Sequence, residues 1–285
     1  MRLSRFPIKV LHKLGWLDSL NISSSIQVDQ KKLLIPILGG QGYDNLQLSE
    51  PWMTNTLRSL RPLFNGHFID VGVNLGQTLL KAHAVFGHME YIGFEPNPSC
   101  VNYVQELVKL NGIEQCSIFP MGVGTKTEVL KLNFFVSDKS DSSATIIEHY
   151  RPNSHEDHFI HVPVFDFHEI QKFLPAKSCP IVKIDVEGAE LDVLLGLKEW
   201  INEYKPLLIV EILPVYSKEN QSRLNRQEQI EDLLKNSSYK ISRIRKNGRS
   251  GIDRINEIGI HSVIDDSDYL FYPLCIEEQV LNCFA

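Results

Sequence analysis

Apolar and polar residues alternate in two regular patterns from residue 67 onward. Short apolar runs, which are typical of buried strands, lie at 68–72, 90–95, 116–120, 181–185 and 206–212. Between them lie segments with the three- and four-residue apolar spacing of amphipathic helices, at 77–86, 99–110, 189–200 and 219–236. Strands that alternate with helices predict an α/β fold, in which helices cover both faces of a mostly parallel sheet.

Two other regions show a different pattern. Residues 128–136 and 161–165 alternate apolar and polar positions, which predicts two strands on either side of a polar loop, 137–159. Two further strands are predicted near the end of the chain, at 240–244 and 267–272. The sheet is therefore expected to be completed by the last part of the chain.

The first 66 residues lack a long periodic pattern. They contain short apolar runs and a turn-rich stretch, L-G-G-Q-G-Y-D-N, at 38–45. We therefore expect 1–66 to form an N-terminal extension or cap that is partly helical. Residues 67–285 are expected to form one domain with a C-terminal tail, since 285 residues fit one large domain or two small ones.

Acidic residues stand at or near the carboxyl ends of four predicted strands: Asp70, Glu95, Asp185 and Glu211. In open parallel sheets, ligands bind at these strand ends, beside the point where the strand order reverses. The four carboxylates are therefore expected to mark the functional site.

The segment D-V-G-V-N-L-G at 70–76 joins the first of these strands to its helix. A dinucleotide-binding loop, G-x-G-x-x-G, would need glycines where this chain has Asn74 and Gln77, which argues against a nicotinamide oxidoreductase. An acid two residues before the first glycine suits a cationic group, such as the α-ammonium of S-adenosylmethionine. Gly72 and Gly76 would let the backbone approach such a ligand. A glycine-rich turn without a ligand stays open as the alternative.

Glu95 follows Gly72 by 23 residues and ends the second predicted strand. A carboxylate at this place can accept hydrogen bonds from both hydroxyls of a ribose. The two prolines that flank Asn97 are expected to stiffen the turn and fix the direction of the carboxylate.

Together with these segments, K-I-D-V-E-G-A-E at 183–190 resembles the FkbM family of S-adenosylmethionine-dependent methyltransferases. The other matching segments are F-I-D-V-G-V-N-L-G (68–76), F-E-P-N-P (94–98), S-S-A-T (142–145) and P-L-L-I-V-E-I-L-P (206–214). The resemblance covers about residues 66–245. It implies a Rossmann-like class I methyltransferase fold, with a mostly parallel seven-stranded sheet and an antiparallel last strand. It also implies methylation of a hydroxyl, often on a sugar or a polyketide.

The resemblance implies cofactor-binding roles for several residues at matching positions. These are Asp70, Gly72, Asn74, Gly76, Glu95, Asn97, Gly122 and Val123, the last two near the adenine. Asp185 and Glu187 are expected to line the methyl-transfer site, where Asp185 also contacts the cofactor. Methyl transfer from a sulfonium is an in-line displacement, so these residues would align the acceptor and help to remove its proton.

Several groups remain open as the base. His155 and His158 belong to an H-x-x-H-x-x-H run in the polar loop, which is read as a substrate lid or as ordinary loop histidines. Glu211 is a further candidate. Asp185 and Glu211 are also expected to end adjacent parallel strands, where two carboxylates suit Mg²⁺. No third ligand can be named, so the metal is the weaker reading.

Composition excludes several classes of protein. Hydrophobic residues make up 43% and charged residues 22%, as in globular proteins, which excludes a disordered or collagen-like chain. The net charge of −6 argues against nucleic acid as a partner. Five cysteines without a C-x-x-C pair favour a reducing, cytoplasmic location over a disulfide framework or zinc site. A homodimer is compatible with this composition, and the sequence leaves the oligomeric state open.

Two basic segments each allow two interpretations. Residues 1–17 are not expected to be a signal peptide, because Lys9, His12 and Lys13 interrupt the apolar stretch, and no run of about 18 apolar residues predicts a membrane span. They form either a helix on an anionic membrane or a helix packed on the domain or a partner. Residues 239–249 form a solvated turn or meet an anionic acceptor.

The sequence as a whole favours O-methylation of a sugar, a glycan or a similar small hydroxylated metabolite, with S-adenosylmethionine as cofactor. The alternative is a module that binds the same cofactor without catalysis and serves as a partner in a biosynthetic complex. The sequence does not identify the acceptor, because the cap and the 137–159 loop contain no recognisable motif.

Overall fold

The structure of the chain, a computed structural model, describes residues 2–47, 49–135, 141, 144–147, 157–176, 180–247 and 251–285. In these ranges the α-helices are α1 (Arg5–Lys13), α2 (Pro51–Leu60), α3 (Gln77–Phe86), α4 (Pro98–Asn111), α5 (Phe167–Ile170), α6 (Glu190–Gly196), α7 (Lys198–Tyr204), α8 (Gln221–Asn236) and α9 (Glu277–Cys283). The strands are β1 (Asn21–Val28), β2 (Lys31–Leu38), β3 (His67–Val71), β4 (Glu90–Phe94), β5 (Cys116–Phe119), β6 (Gly122–Val123), β7 (Glu128–Phe134), β8 (His158–Phe165), β9 (Ile181–Ile184), β10 (Leu207–Glu211), β11 (Tyr239–Ile244), β12 (Ile252–Ile255) and β13 (Asp268–Pro273).

The main sheet has the strand order β12-β11-β13-β10-β9-β3-β4-β5. Five neighbouring strands, from β10 to β5, are parallel, and β13 is antiparallel to both of its neighbours, β10 and β11. The strand order reverses at β3, which lies between β9 and β4. This is the mostly parallel α/β sheet that the sequence pattern predicts, with the antiparallel last strand that the resemblance implies.

Within the described residues, however, the main sheet has eight strands where seven were expected. The additional strand, β12, pairs antiparallel with β11 and lies at the edge. Its sequence, I-D-R-I, places two charged residues between two isoleucines, and such a short run gives no clear strand period. The segment is a strand because its backbone pairs with β11, and its own apolar pattern does not predict one.

The sheet separates two hydrophobic cores, because successive residues of a strand point to opposite faces. Phe68 on β3 joins the core beneath α3 and α4, whereas the next residue, Ile69, joins the core beneath α6, α7 and α8. Both side chains are almost fully buried. The parallel strands are buried on both faces and therefore hold their carboxyl ends in fixed positions at one edge of the sheet.

Residues before β3 pack on the first of these cores. β1 and β2 form an antiparallel hairpin, and Ile35 and Ile37 of β2 are completely buried. Asn111 at the end of α4 accepts a hydrogen bond from the N–H of Leu34 and donates one to its carbonyl, both at 2.7 Å. The sequence analysis predicted no strands here. The serines of β1 and Pro36 in β2 weaken the apolar alternation that would have indicated them.

The helix expected at 189–200 is two helices, α6 and α7, which meet at Leu197. A Cβ atom at Gly196 would lie 2.3 Å from the carbonyl oxygen of Gly124, so the glycine lets α6 lie against the backbone that follows β6. β6, β8 and β7 form a separate three-stranded sheet beside the main one. No helix in the described ranges is long and apolar enough to cross a membrane.

Candidate functional site

A cavity of about 450 Å³ lies at the carboxyl ends of β3, β4 and β9, where the strand order reverses. Its volume falls within the roughly 300–1,000 Å³ of small-molecule pockets. Nine residues singled out in the sequence line it: Gly72, Asn74, Glu95, Asn97, Gly122, Val123, Asp185, Glu187 and Glu211. The fold therefore brings most of the predicted site residues to one cavity.

The loop between β3 and α3 requires its first glycine. Gly72 has a φ of +90°, and a Cβ atom there would lie 1.9 Å from the carbonyl oxygen of Asp185. The loop thus touches the end of β9 through bare backbone. Gly76, which was expected to contact the cofactor, lies outside the cavity lining. A Cβ atom at Gly76 would lie 2.9 Å from Cδ2 of Leu107, so this glycine lets α3 pack against α4.

The carboxylate of Glu95 is anchored by backbone on both sides. Its Oε2 accepts a hydrogen bond from the N–H of Asn74 at 2.7 Å, and its Oε1 accepts one from the N–H of Asn97 at 2.8 Å. The side chain of Asn97 caps α4 by accepting from the N–H of Ser99 at 3.0 Å. Burial raises the pKa of Glu95 to about 7. Since a carboxylate has about four acceptor positions, each oxygen keeps room for a ligand hydroxyl.

Asp70 does not take the place expected for it at the cofactor. Its side chain is completely buried, and it lies outside the cavity lining. The hydroxyl of Tyr91 donates a hydrogen bond to Oδ2 of Asp70, and Nζ of Lys183 lies 3.6 Å from Oδ1. Burial raises the pKa of Asp70, although Lys183 opposes this. Asp70 therefore does not line the cavity, where contact with the methionyl ammonium was expected, and it contacts Lys183 beneath the site.

Lys183 is a site residue that the sequence analysis did not identify. Its ammonium lies 3.0 Å from Oδ2 of Asp185 and donates a hydrogen bond to the carbonyl of Gly72 at 3.1 Å. Burial alone would lower the pKa of Lys183, but the neighbouring carboxylates of Asp185 and Asp70 raise it above its usual value. A positive charge is thus fixed between the glycine loop and the end of β9. The signal that could have indicated it is a lysine inside an otherwise apolar strand, two residues before Asp185.

Asp185 and Glu211 end adjacent parallel strands, as the sequence predicted. Burial would raise the pKa of Asp185, but Lys183 and a hydrogen bond shared with Glu211 lower it. Burial and the nearby Asp185 carboxylate raise the pKa of Glu211 far above its usual value. Of the two coupled carboxyl groups, Asp185 therefore favours the charged form, and Glu211 favours the protonated form.

This arrangement does not fit the Mg²⁺ ion that Asp185 and Glu211 were considered for. Lys183 already occupies the position of a counter-cation at Asp185. Within the part of the chain that the structure describes, no group of three or more His, Cys, Asp or Glu side chains is arranged to hold a metal ion.

The turn after β9 is held by buried contacts. Glu187 has a φ of +51°, and its carbonyl accepts a hydrogen bond from the hydroxyl of Thr145 at 2.6 Å. Glu190 is buried and accepts a hydrogen bond from the N–H of Gly188 at 2.8 Å. Arg226 of α8 donates to the carbonyl of Gly188 at 2.9 Å. These contacts fix the direction of the turn that carries Glu187.

Of the two histidine candidates for the base, the structure describes His158, which does not line the cavity. His158 begins β8, is exposed, and its Nδ1 lies 2.9 Å from Oδ2 of Asp157. Its ring stacks on Phe134 with a centroid distance of 4.5 Å. It lies outside the cavity lining, so its position gives no support to its role as a base. His155 lies outside the described residues.

The basic segment at 239–249 is largely neutralised by acids of its own fold. Its ion pairs are Arg243 with Asp266 at 3.5 Å, Arg245 with Asp253 at 3.3 Å and Lys246 with Asp268 at 2.6 Å. The three bases that form these pairs are therefore not available to an anionic acceptor, and residues 239–244 of the segment form β11.

The N-terminal part of the chain contributes one wall of the cavity. Asp44, Ser49 and Glu50 line it, although the sequence analysis assigned no chemistry to this region. Glu50 forms an ion pair with the buried Lys81 of α3 at 2.9 Å. This contact holds the segment against the helix that follows the glycine loop.

The five parallel strands from β10 to β5, with the antiparallel β13 between β10 and β11, form the Rossmann-like sheet of class I methyltransferases. The family model "Methyltransferase FkbM domain" matches residues 70–241, which is more than half of the chain. The chain therefore belongs to the FkbM methyltransferase family.

Individual relatives are distant. "Methyltransferase 1" of Beauveria bassiana (strain ARSEF 2860) is 25% identical over 144 residues, which cover 46% of this chain and 58% of that protein. The match thus spans less than two thirds of the relative's length. The FkbM methyltransferase structure from Methylobacillus flagellatus KT is similar with a TM-score of 0.44 and 18% identity, over 77% of this chain and 48% of that one. The SAH-bound methyltransferase PaMTH1 of Podospora anserina is similar with a TM-score of 0.44 and 10% identity, over 80% and 77%.

Proposed function

We propose that this chain is an S-adenosylmethionine-dependent O-methyltransferase that acts on a sugar, a glycan or a similar small hydroxylated metabolite. The observation that supports it best is the Glu95 carboxylate, which two backbone N–H groups hold at the cavity. This is the acceptor that a ribose diol requires, and it lies beside a glycine loop at the sheet's switch point.

In this proposal, each group of cavity residues binds one part of the cofactor. Glu95 accepts the ribose hydroxyls, while Gly122 and Val123 form an apolar and backbone surface for the adenine. Gly72 and Asn74 allow the backbone to approach the ligand. The start of α3, at Gln77 and Thr78, also lines the cavity, and N–H groups at a helix start suit the methionyl carboxylate.

Asp185 and Glu187, which follow β9, orient the acceptor. The cofactor, when bound, supplies a methyl group on a sulfonium. Lys183 keeps Asp185 ionised, so Asp185 accepts a hydrogen bond from the acceptor hydroxyl and aligns its oxygen for in-line attack. Glu211 shares a hydrogen bond with Asp185, which helps to fix the orientation of the Asp185 carboxylate.

The charges of the lining indicate a neutral acceptor rather than an anionic one. Asp44, Asp141 and Glu187 add carboxylates, and Lys183 is the one Lys or Arg among the described lining residues. The Lys183 ammonium already forms ion pairs with Asp185 and Asp70. A phosphate or carboxylate near the transferred methyl group would therefore be repelled, whereas hydroxyls find several acceptors.

We further propose that residues 67–285 form the methyltransferase domain and that 1–66 form a cap that completes the acceptor side. The experiment is methyl incorporation from methyl-labelled S-adenosylmethionine into panels of neutral glycans, anionic glycans and small polyols. Label in a neutral hydroxylated acceptor supports the proposal. Cofactor binding without methyl incorporation into any acceptor panel would indicate the non-catalytic module instead. A cytoplasmic location, which we also propose, is tested by fractionation of cells that express the chain.

A further inference from the structure

The helix α1 presents an apolar stripe to solvent on the side that faces away from the protein. Phe6, Val10 and Leu14 are four residues apart, which places them along one side of the helix, and they are 79%, 42% and 53% exposed. Ile8, on the opposite side, is completely buried and holds the helix on the domain. Trp16, just beyond the helix, is 61% exposed. Soluble proteins rarely expose large apolar side chains in such a group, and where they do, the group marks an interaction site.

Basic side chains border this stripe. Arg2, Arg5, Lys9 and Lys13 are all exposed, and none of them forms an ion pair with another described residue. A groove of about 450 Å³ beside the helix is lined by Arg5 and Lys9 together with uncharged residues: Gln27, Tyr43, Leu46 and Gln47. No carboxylate lines this groove among the described residues. Its chemistry suits the phosphate of a headgroup.

We infer that α1 and Trp16 form a docking surface for an anionic lipid bilayer. An interfacial helix needs an outward apolar stripe and flanking cations, because apolar burial and attraction to anionic lipids both contribute to binding. The four exposed apolar residues provide the first feature, and the four basic residues provide the second. Of the two interpretations that the sequence left open, the inward side of α1 packs on the domain and the outward side meets the membrane.

The tryptophans of this chain provide a direct reporter. Trp52 and Trp200 are buried, at 6% and 2% exposure, so Trp16 is the tryptophan that changes environment on docking. The full chain is mixed with vesicles of phosphatidylcholine alone or with phosphatidylserine added. We expect co-sedimentation and a blue shift of the emission with phosphatidylserine only, and a loss of both as salt screens the charges. Trp16→Phe should abolish the shift and retain most of the sedimentation.

Matched variants distinguish binding through α1 from non-specific binding to vesicles. Lys9→Gln/Lys13→Gln should weaken vesicle partitioning by about 25-fold, at about fivefold for each charge. Phe6→Ser/Leu14→Ser should also weaken it at least about tenfold. The controls are Lys126→Gln/Lys198→Gln, two exposed lysines, and Val129→Ser/Leu274→Ser, which are 66% and 51% exposed. Neither control should change partitioning.

Three results would overturn the inference. The first is that phosphatidylserine vesicles do not retain the wild-type chain. The second is that the control pairs weaken partitioning as much as the α1 pairs. The third is a wild-type dimer in light scattering that Phe6→Ser/Leu14→Ser converts to a monomer, because a second copy would then occupy the stripe. Unchanged thermal unfolding of every variant verifies that these exposed substitutions leave the fold intact.

Discussion

Nζ of Lys183 lies 3.0 Å from Oδ2 of Asp185, two residues further along the chain. The two side chains share a side of the strand end, since residues two apart on a strand point the same way. The same ammonium donates to the carbonyl of Gly72, so one buried charge joins the end of β9 to the loop after β3. The catalytic edge of the sheet is therefore held together electrostatically as well as by backbone pairing.

Removal of this charge should destabilise the whole domain. Lys183→Met leaves Asp70 buried without its cation, and an uncompensated buried charge costs about 3–5 kcal/mol. We expect the free energy of unfolding, measured by urea denaturation, to fall by about that amount. Lys198→Met, at the exposed start of α7, should change it by less than about 0.5 kcal/mol. Equal urea midpoints for Lys183→Met and the wild type would show that the ion pair contributes nothing.

The glycine loop should tolerate no side chain at its first position. Gly72→Ala places a Cβ atom 1.9 Å from the carbonyl oxygen of Asp185, so either the loop or the end of β9 must move. We expect a loss of about 3 kcal/mol or more in unfolding free energy, from strain and overpacking together. Gly112→Ala is the matched control, because its φ is also positive but nothing lies within 4 Å. It should cost about 1–2 kcal/mol. Similar losses in both variants would refute the close approach.

The pH dependence of stability should reveal the buried Glu190. Its pKa is raised from 4.5 to about 7 by burial, so the folded state holds a proton that the unfolded state has released. The stability from Glu190 is therefore complete below about pH 4.5 and is lost as the pH rises through about 7, by at most about 3 kcal/mol.

Glu190→Gln keeps an acceptor for the N–H of Gly188 and cannot ionise. Urea denaturation between about pH 5 and pH 8 should show a smaller decline for this variant than for the wild type. Part of the decline should remain, since burial also raises the pKa of Glu95 to about 7. Glu228→Gln, an exposed residue of α8, should follow the wild type. Parallel curves for Glu190→Gln and the wild type would contradict the assignment.

Turnover should depend on Asp185 more than cofactor binding does. Asp185→Asn removes the anion that orients the acceptor hydroxyl, and we expect kcat to fall by about 100-fold, with cofactor affinity changed by less than about threefold. Asp192→Asn is the control, because Asp192 pairs with Arg226 at 2.6 Å and does not line the cavity. Steady-state methylation kinetics of both variants provide the comparison. Full turnover in Asp185→Asn would exclude this role.

Much of this fold was predictable, because its strands and helices have strong periods. Predicted and observed bounds of β3, β4, β9 and β10 agree within about two residues. The parallel sheet then brings Glu95, Asp185 and Glu211 to the same edge, as their places at strand ends implied. Local pattern and topology together were enough for these residues.

What the sequence could not provide depends on contacts between distant segments. Nothing local shows that Asp70 turns into the protein and meets Tyr91 and Lys183, because only the packed sheet excludes water from it. The place of Glu50 in the cavity wall depends on its ion pair with Lys81, 31 residues away along the chain. Such pairs form only when the fold brings distant segments together, so the sequence contains no periodic pattern that would indicate them.

The most direct test of the account is calorimetric titration of the full chain with S-adenosylmethionine and with its demethylated product. We expect both to bind to one site, and Glu95→Ala to weaken binding by about 10- to 100-fold, since two hydrogen bonds to a charged acceptor are lost. Glu90→Ala, at the opposite end of β4, should bind as the wild type does. If neither compound binds, or if Glu95→Ala binds as tightly as Glu90→Ala, the proposed cofactor site is wrong.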